Sequence, residues 1–255
     1  YYQELYTSPH KFDRLYLMNV QILTSEDGGK NFRTLEGRRQ KHSDHHAIAF
    51  KESDPDYIMV GTDAGIYESF DLAQNWHYFL NLPLTQFYKV AVDNAEPFYN
   101  IYGGTQDNFS IGGPSRVKTA HGITNQDWFI THGGDGFESQ VDPENPNIVY
   151  AGSYSGFLTR YDHTTGERRN ITVYPDNPMG HGVKDLKYRF QWNFPIEFDP
   201  HDSKTLYVGS QHLHKSTDEG ESWELISPDL STNTVSMQDE SGGPITKDDT
   251  GVEYY

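Results

Sequence analysis

Four stretches decide how this chain reads: KESDPDYIMVG (51–61), DNAEPFYNIYG (93–103), DPENPNIVYAG (142–152) and DPHDSKTLYVG (199–209). Set in one register they end together, on Gly61, Gly103, Gly152 and Gly209, and Pro55, Pro97 and Pro146 share a column with Ser203. A short, mostly apolar run precedes each (47–50, 89–92, 138–141, 196–198), then an acidic, mostly proline-bearing turn, then a run rich in Tyr, Val and Ile that climbs to the glycine. β-branched and aromatic residues bounded by turn formers are the signature of consecutive strands, and helix signals are nearly absent. From glycine to glycine the steps are 42, 49 and 57 residues. Four short strands and their turns fill about that length, the size of one propeller blade.

A second motif recurs. SEDGGKNF (25–32), SFDLAQNW (69–76) and STDEGESW (216–223) resemble the Asp-box, S-x-D-x-G-x-[ST]-[WF]. The third matches in full through Ser216, Asp218, Gly220 and Trp223. The first keeps Ser25, Asp27, Gly29 and Phe32 but has Asn31 for Ser or Thr; the second keeps Ser69, Asp71 and Trp76 but has Ala73 for glycine. Another unit retains only Asp162, ten residues after Gly152. In such a turn the carboxylate accepts backbone N–H groups, the glycine supplies a positive φ and the aromatic anchors the turn. These residues are therefore expected to be scaffold, on the turn between the two outer strands.

The fold class that follows is all-β, a β-propeller of four-stranded blades with Asp-box turns, about five of them in this chain. The units fall near 1–36, 43–82, 86–130, 135–175 and 189–228, with 229–255 a loop or the start of another unit. The first unit reads as lacking its inner strands, which suggests a piece of a larger ring. Pairing of Tyr1 with Val252–Tyr255 would instead close a five-bladed one.

Composition narrows the partners. Lys and Arg number 20 against 37 Asp and Glu, a formal charge of −17, which repels nucleic acid and anionic lipid and suits cationic or neutral ligands. With no cysteine, disulfides and thiolate metal sites are excluded. No apolar run approaches the roughly 20 residues of a membrane helix.

In a propeller, the residues just before each innermost strand and the loops after each second strand share one face. Counting back from the register gives Asp44, Gln86, Asp135 and Trp192, then His45, Phe87, Gly136 and Asn193, then His46, Tyr88, Phe137 and Phe194. The loops add Asp63 and Gln106, Asp107 and Asn108. Arg189 and the long insertion IGGPSRVKTAHGITNQDW (111–128), with Arg116, are assigned to the same face. Asp44, Asp107 and Asp135 are the candidate catalytic acids, since a glycosidase needs two carboxylates. His45 and His46 are adjacent on a strand and point to opposite sides, so they do not form a metal pair, and neither metal nor cofactor is expected. A sialate carboxylate calls for several converging arginines, and only Arg189 and Arg116 are at hand, so a sialidase is the weakest reading. The glycines around Asp135 in HGGDGF are expected to bring backbone N–H groups close to a ligand.

Together with the Asp-box motifs, the strings DHHAIAF, LPLTQFYKVAVDN, YGGTQDN, GITNQDWF, GGDGF and YRFQWNFP resemble a bacterial family of sortilin-like propellers often labelled as glycosyl hydrolases or exo-α-sialidase-like proteins. The resemblance implies an extracellular or periplasmic protein whose further blades lie in the same polypeptide. By analogy with sortilin-type propellers it implies capture of a peptide, protein or carbohydrate at the channel mouth. By analogy with xyloglucanase-type propellers it implies glucan hydrolysis by paired aspartates.

Overall fold

A computed structural model describes residues 4–35, 41–82 and 84–239. They form twenty short strands in five four-stranded antiparallel sheets, each an up-and-down meander in chain order. That is the strand plan of propeller blades. The chain divides into two compact units, 1–84 and 85–255. No helix among the described residues is long and apolar enough to cross a membrane. Tyr1 and Val252–Tyr255, on which the ring-closure expectation turns, lie outside the described residues.

The first unit holds two sheets. One is β1 (Leu5–Thr7), β2 (Leu15–Leu17), β3 (Leu23–Ser25) and β4 (Arg33–Thr34); the other is β5 (His45–Lys51), β6 (Asp54–Thr62), β7 (Gly65–Ser69) and β8 (His77–Tyr78). The first sheet has all four strands, against the expectation that its inner ones were missing. β1 and β2 are three residues each, LYT and LYL, too short to show an alternating pattern. Tyr16, Met18 and Ile22 pack with Ile48, Ile58 and Val60 to make the core of this unit.

The second unit holds three sheets: β9 (Val90–Val92), β10 (Asn100–Gly104), β11 (Ser110–Pro114) and β12 (Phe129–His132); β13 (Ser139–Val141), β14 (Ile148–Gly152), β15 (Leu158–Asp162) and β16 (Arg168–Asn170); β17 (Ile196–Asp199), β18 (Asp202–Gly209), β19 (Leu213–Ser216) and β20 (Glu224–Leu225). Strand β14, IVYAG, is buried at every residue. Its side chains alternate between faces, and both faces are covered: Ile148 and Tyr150 join Ile196, Leu206 and Val208, while Val149 joins Tyr102, Val141 and Tyr161. A strand packed on both sides has no polar face, hence the continuous apolar run.

The three Ser-x-Asp turns connect β3 to β4, β7 to β8 and β19 to β20, and their bonding is the same. The serine hydroxyl donates to the aspartate Oδ1 at 2.8–2.9 Å and accepts the amide four residues on, Gly29, Ala73 or Gly220, at 2.8–2.9 Å. The aspartate Oδ1 accepts the amide of Asn31, Asn75 or Ser222. Its Oδ2 accepts Ser222 Oγ at 2.6 Å, and in the other turns the Nδ2 of Asn31 or Asn75 at 2.7 Å. The asparagines therefore do what the usual Ser or Thr does. Bonds led by those side chains hold the carboxyls of Asp27 and Asp218 down to about 2. Each turn places two successive residues at positive φ, Gly28–Gly29, Leu72–Ala73 and Glu219–Gly220. Asp162 makes a different turn, its carboxylate accepting the amide (2.8 Å) and hydroxyl (2.6 Å) of Thr164.

Ser216 is 2% exposed, and its hydroxyl serves Asp218 and the buried Gly220 amide together. Ser216→Ala orphans that amide and is expected to lower stability by about 1–3 kcal/mol, read as an earlier urea midpoint with an unchanged slope.

Candidate functional site

The start of each inner strand and the loop after each second strand lie at one end of a sheet, because those two strands are antiparallel neighbours. In the first unit this end carries Asp44, His46 and Asp63. The Asp63 amide donates to the Asp44 carbonyl at 3.2 Å, and the His46 ring bonds the Asp63 carboxylate. His45 does not belong to this surface. It is 1% exposed, its Nδ1–H donates to the Asn19 carbonyl at 3.0 Å, and the Lys41 ammonium lies against Nε2. Burial, then Lys41, pushes its pKa down to about 4. It is a neutral core histidine, not a ligand contact.

In the second unit three consecutive sheets deliver aromatic rings and carboxylates to one place. Tyr88 comes from the segment before β9, Phe137 from before β13 and Trp192 from before β17; Tyr154 lies on the β14–β15 loop. Their rings form a continuous wall. Tyr88 and Phe137 centroids are 4.6 Å apart, Phe137 meets the edge of Trp192 at 5.6 Å, and Tyr154 stacks on Trp192 at 5.3 Å with 19° between planes. Phe137 is buried at the back, while Tyr88 is 44% exposed. Ser155 N–H donates to the Trp192 carbonyl at 3.2 Å, which fixes the two halves of the stacked pair.

Beside the wall, Asp135 Oδ1 accepts the Asp107 amide at 2.8 Å and so holds the β10–β11 loop. In that loop Asp107 and Phe109 both take positive φ, Asn108 Nδ2 donates to the Gln106 carbonyl at 3.2 Å, and the Tyr88 hydroxyl donates to Gln106 Oε1. Burial raises the Tyr88 pKa; a hydrogen bond from Trp192 draws it back, and the charges of Asp135 and Asp107 raise it again. Tyr154 is raised by burial and then by Asp135. Behind the loop, Lys89 Nζ reaches the 5%-exposed Glu138 at 2.8 Å, tying the starts of β9 and β13.

Several residues assigned to this face are elsewhere or otherwise engaged. Arg189 is 8% exposed and bonds Asp229 (2.9 Å) and Ser231 (2.7 Å), so it clamps the segment after β20. Arg116 and the 111–128 insertion leave from the far end of β11. There Ser115 N–H bonds the Tyr99 carbonyl and the Arg116 guanidinium lies 5.0 Å from the Phe98 ring. The error was one of parity: the insertion follows a third strand, which runs away from the mouth. Phe194 is buried in the core. Asn193 keeps its buried Oδ1 without a hydrogen-bond partner among the described residues, and Gln86 is exposed, with Tyr88 the residue that joins the wall. In HGGDGF the Gly136 amide donates to the Thr105 carbonyl at 3.0 Å, so it serves the scaffold and not a ligand. No group of three or more His, Asp or Glu among the described residues is arranged to hold a metal ion.

The residue that sequence reasoning missed is Tyr154. The rule that selected Asp63 and Gln106, a position shortly after the register glycine, selects Tyr154 two residues after Gly152 when carried to the next unit.

No family model matches the sequence, and no curated protein matches it either. Among solved structures, the chain is similar to YCF48 bound to D1 peptide, at 12% identity and a TM-score of 0.40, over 87% of this chain and 67% of that one. It is also similar to the Niastella koreensis GH74 enzyme, at 14% identity and 0.37, over 88% of this chain but 38% of the enzyme. A third likeness is to a chain of the mitotic checkpoint complex, at 11% identity and 0.38, over 87% of this chain and 62% of that one. With every TM-score below 0.5, the functional reading stands on the geometry of the chain itself.

Proposed function

We propose that this chain is a recognition module that binds a segment of peptide or glycan at the wall formed by Tyr88, Phe137, Trp192 and Tyr154. One observation carries the reading: three successive sheets spend the starts of their inner strands on aromatic rings at the exposed end, bordered by Asp107 and Asp135. A strand start with only a structural duty is served by small residues, whereas large rigid rings beside a few polar groups are the usual makings of a binding surface. Three similarly bonded Ser-x-Asp turns support reading the scaffold as an Asp-box propeller of the sortilin-like kind, for which we propose a role outside the cytoplasm.

Glycoside hydrolysis by two of Asp44, Asp107 and Asp135 is the alternative. The pair Asp107 and Asp135 favours it in being adjacent. Against it, the Asp135 carboxylate is engaged in holding the Asp107 amide, a positioning duty.

The test is binding of the full-length protein to peptide and glycan arrays beside its Trp192→Ala and Asp135→Ala double variant. Loss of an aromatic anchor and its neighbouring charge is expected to weaken binding by about 10- to 100-fold, the scale of an interface hot spot. Equal binding by the variant refutes the assignment of the site. Turnover of a glucan, abolished by Asp107→Asn or Asp135→Asn, would replace recognition with catalysis.

A further inference from the structure

We infer that the wall binds an extended peptide and reads its main chain, with one peptide group hydrogen-bonded to Asn193 Oδ1 and Ser155 Oγ beside the Tyr154–Trp192 pair. The inference rests on the recognition reading of the same residues and narrows it to one ligand class and one subsite. It follows from which polar atoms at the wall hold nothing inside the chain.

Several polar groups along the wall hold it together. The Tyr88 hydroxyl donates to Gln106 Oε1, Asp135 Oδ1 accepts the Asp107 amide, and Gln191 Oε1 accepts the Trp192 amide at 2.9 Å. Two atoms do no such work. Ser155 Oγ and Asn193 Oδ1 are buried with no hydrogen-bond partner among the described residues. They meet at the joint of the stacked pair: Ser155 follows Tyr154, Asn193 follows Trp192, and the Ser155 amide donates to the Trp192 carbonyl at 3.2 Å. An orphaned polar group costs more than an ordinary hydrogen bond returns, so a joint with only a structural duty is better served by apolar side chains. Ser155 also sits at a φ of 52°, where a residue with a side chain is strained, and such strain gathers at ligand clamps. Both residues are part-exposed, so one side-chain torsion brings each atom to the surface, and neither gives up a hydrogen bond in turning.

The two atoms match a peptide group. The amide oxygen of Asn193 only accepts, while the Ser155 hydroxyl also donates. A peptide bond offers an N–H and a C=O in one plane. A carboxylate brings no donor for Asn193, and an ammonium leaves the Ser155 proton without an acceptor. A sugar stacks on a bare ring face, whereas Tyr154 covers one face of Trp192, and Phe137, itself 1% exposed, meets the indole edge. The Tyr88 ring, 44% exposed, receives an apolar side chain of the same segment.

The full chain is to be screened on an array of neutral, end-blocked hexapeptides and on a glycan array. The tightest hexapeptide is then remade with each amide in turn replaced by an ester, which removes one N–H and keeps the shape. Calorimetric titration is expected to find one ester position that weakens binding about 3- to 10-fold. In Asn193→Ala the same ester is expected to cost less than about 2-fold, because its partner is already gone. Ser155→Ala and Asn193→Ala are each expected to weaken binding of the parent peptide while the urea midpoint stays unchanged or rises; loss of a side chain with a structural partner would lower it. If Asn193→Ala alone is unstable, the ester series on Ser155→Ala decides. A lower midpoint for both variants, or an ester series as tight as the parent at every position, overturns the main-chain subsite and leaves recognition intact. Binding of glycans alone overturns the peptide class. Binding to neither array overturns the recognition reading as well.

Discussion

Bringing the protein from pH 7 to pH 4 is expected to remove several kcal/mol of stability before the scaffold carboxylates begin to titrate. The main cause is two deeply buried imidazoles, His45 in the first unit and His214 in the second; His132, also in the second unit, is lowered in the same direction by burial and then by Arg168. His45 is enclosed with Lys41 at its Nε2, and His214, 1% exposed, shares a hydrogen bond of 2.8 Å with the Ser210 hydroxyl among the rings of Tyr188 and Phe190. Burial pushes both pKa values to about 4; Lys41 adds to the effect at His45 against a weaker opposing pull from Asp44, and His212 adds to it at His214. In the unfolded chain both titrate near 6.5, so the unfolded state takes up protons first as pH falls. Stability is then whole above about pH 6.5, declines through the window from 6.5 to 4, and loses no more from these groups below 4. A gap of this size corresponds to roughly 3 kcal/mol for each histidine. Asp27, Asp218 and Asp229, all held at about 2, lose their contribution in a separate window, below their unfolded values near 3.8. Urea denaturation at pH 7, 5.5 and 4 checks this. His214→Phe should cost some stability at pH 7 yet flatten the acid slope of the second unit. A slope that is flat between 6.5 and 4 in the natural chain would mean that the two rings are solvated.

The repeat was legible because it is enforced twice, by strand pairing and by turn chemistry. The register glycines fall on the last or next-to-last residue of the second strands, and the Ser-x-Asp motifs fall on the outer turns, since both signals come from local backbone needs that only a few residue types meet. The first sheet was half hidden because three-residue strands carry no period. The site was legible as an end of the sheets but not as a set of contacts. Counting along strands places Asp135, Trp192, Tyr88 and Phe137 at one end, and two of the four, Tyr88 and Phe137, come from the third row, His46, Tyr88, Phe137 and Phe194. Arg189 was misread because a charged residue at the mouth of a sheet looks like a contact until its partner is known, and Asp229 lies 40 residues away in sequence. Such partners are set by tertiary packing, on which local pattern is silent.

Gly136→Ala is expected to be the most damaging of the three glycine-to-alanine substitutions in HGGDGF, for a reason that separates those glycines. The end of β10 and the start of β13 approach until their backbones touch. A Cβ on Gly136 would lie 2.4 Å from the Phe109 carbonyl oxygen and 2.6 Å from the Ser110 nitrogen; one on Gly104 would lie 2.2 Å from the Phe137 nitrogen. Side chains can rotate away from a new methyl, but these neighbours are main chain, held by the Gly136 amide to Thr105 and by the Phe109 amide to Gly134. The strands must separate, and the Asp135 latch and the seat of Phe137 go with them. Overpacking of this kind costs about 3 kcal/mol, at the upper end of what added carbon causes in a core. Gly133 supplies the control, because a Cβ there meets nothing within 4 Å and its φ is ordinary; Gly133→Ala should be nearly neutral. Gly134 falls between them, with open space but a φ of +81° that strains any L side chain. Urea midpoints of the three alanine variants should therefore rank 133, 134, 136 from most to least stable, with ligand binding lost only in the last. If Gly136→Ala melts with Gly133→Ala, the two backbones do not meet, and the placement of Asp135 beside the aromatic wall falls with that contact.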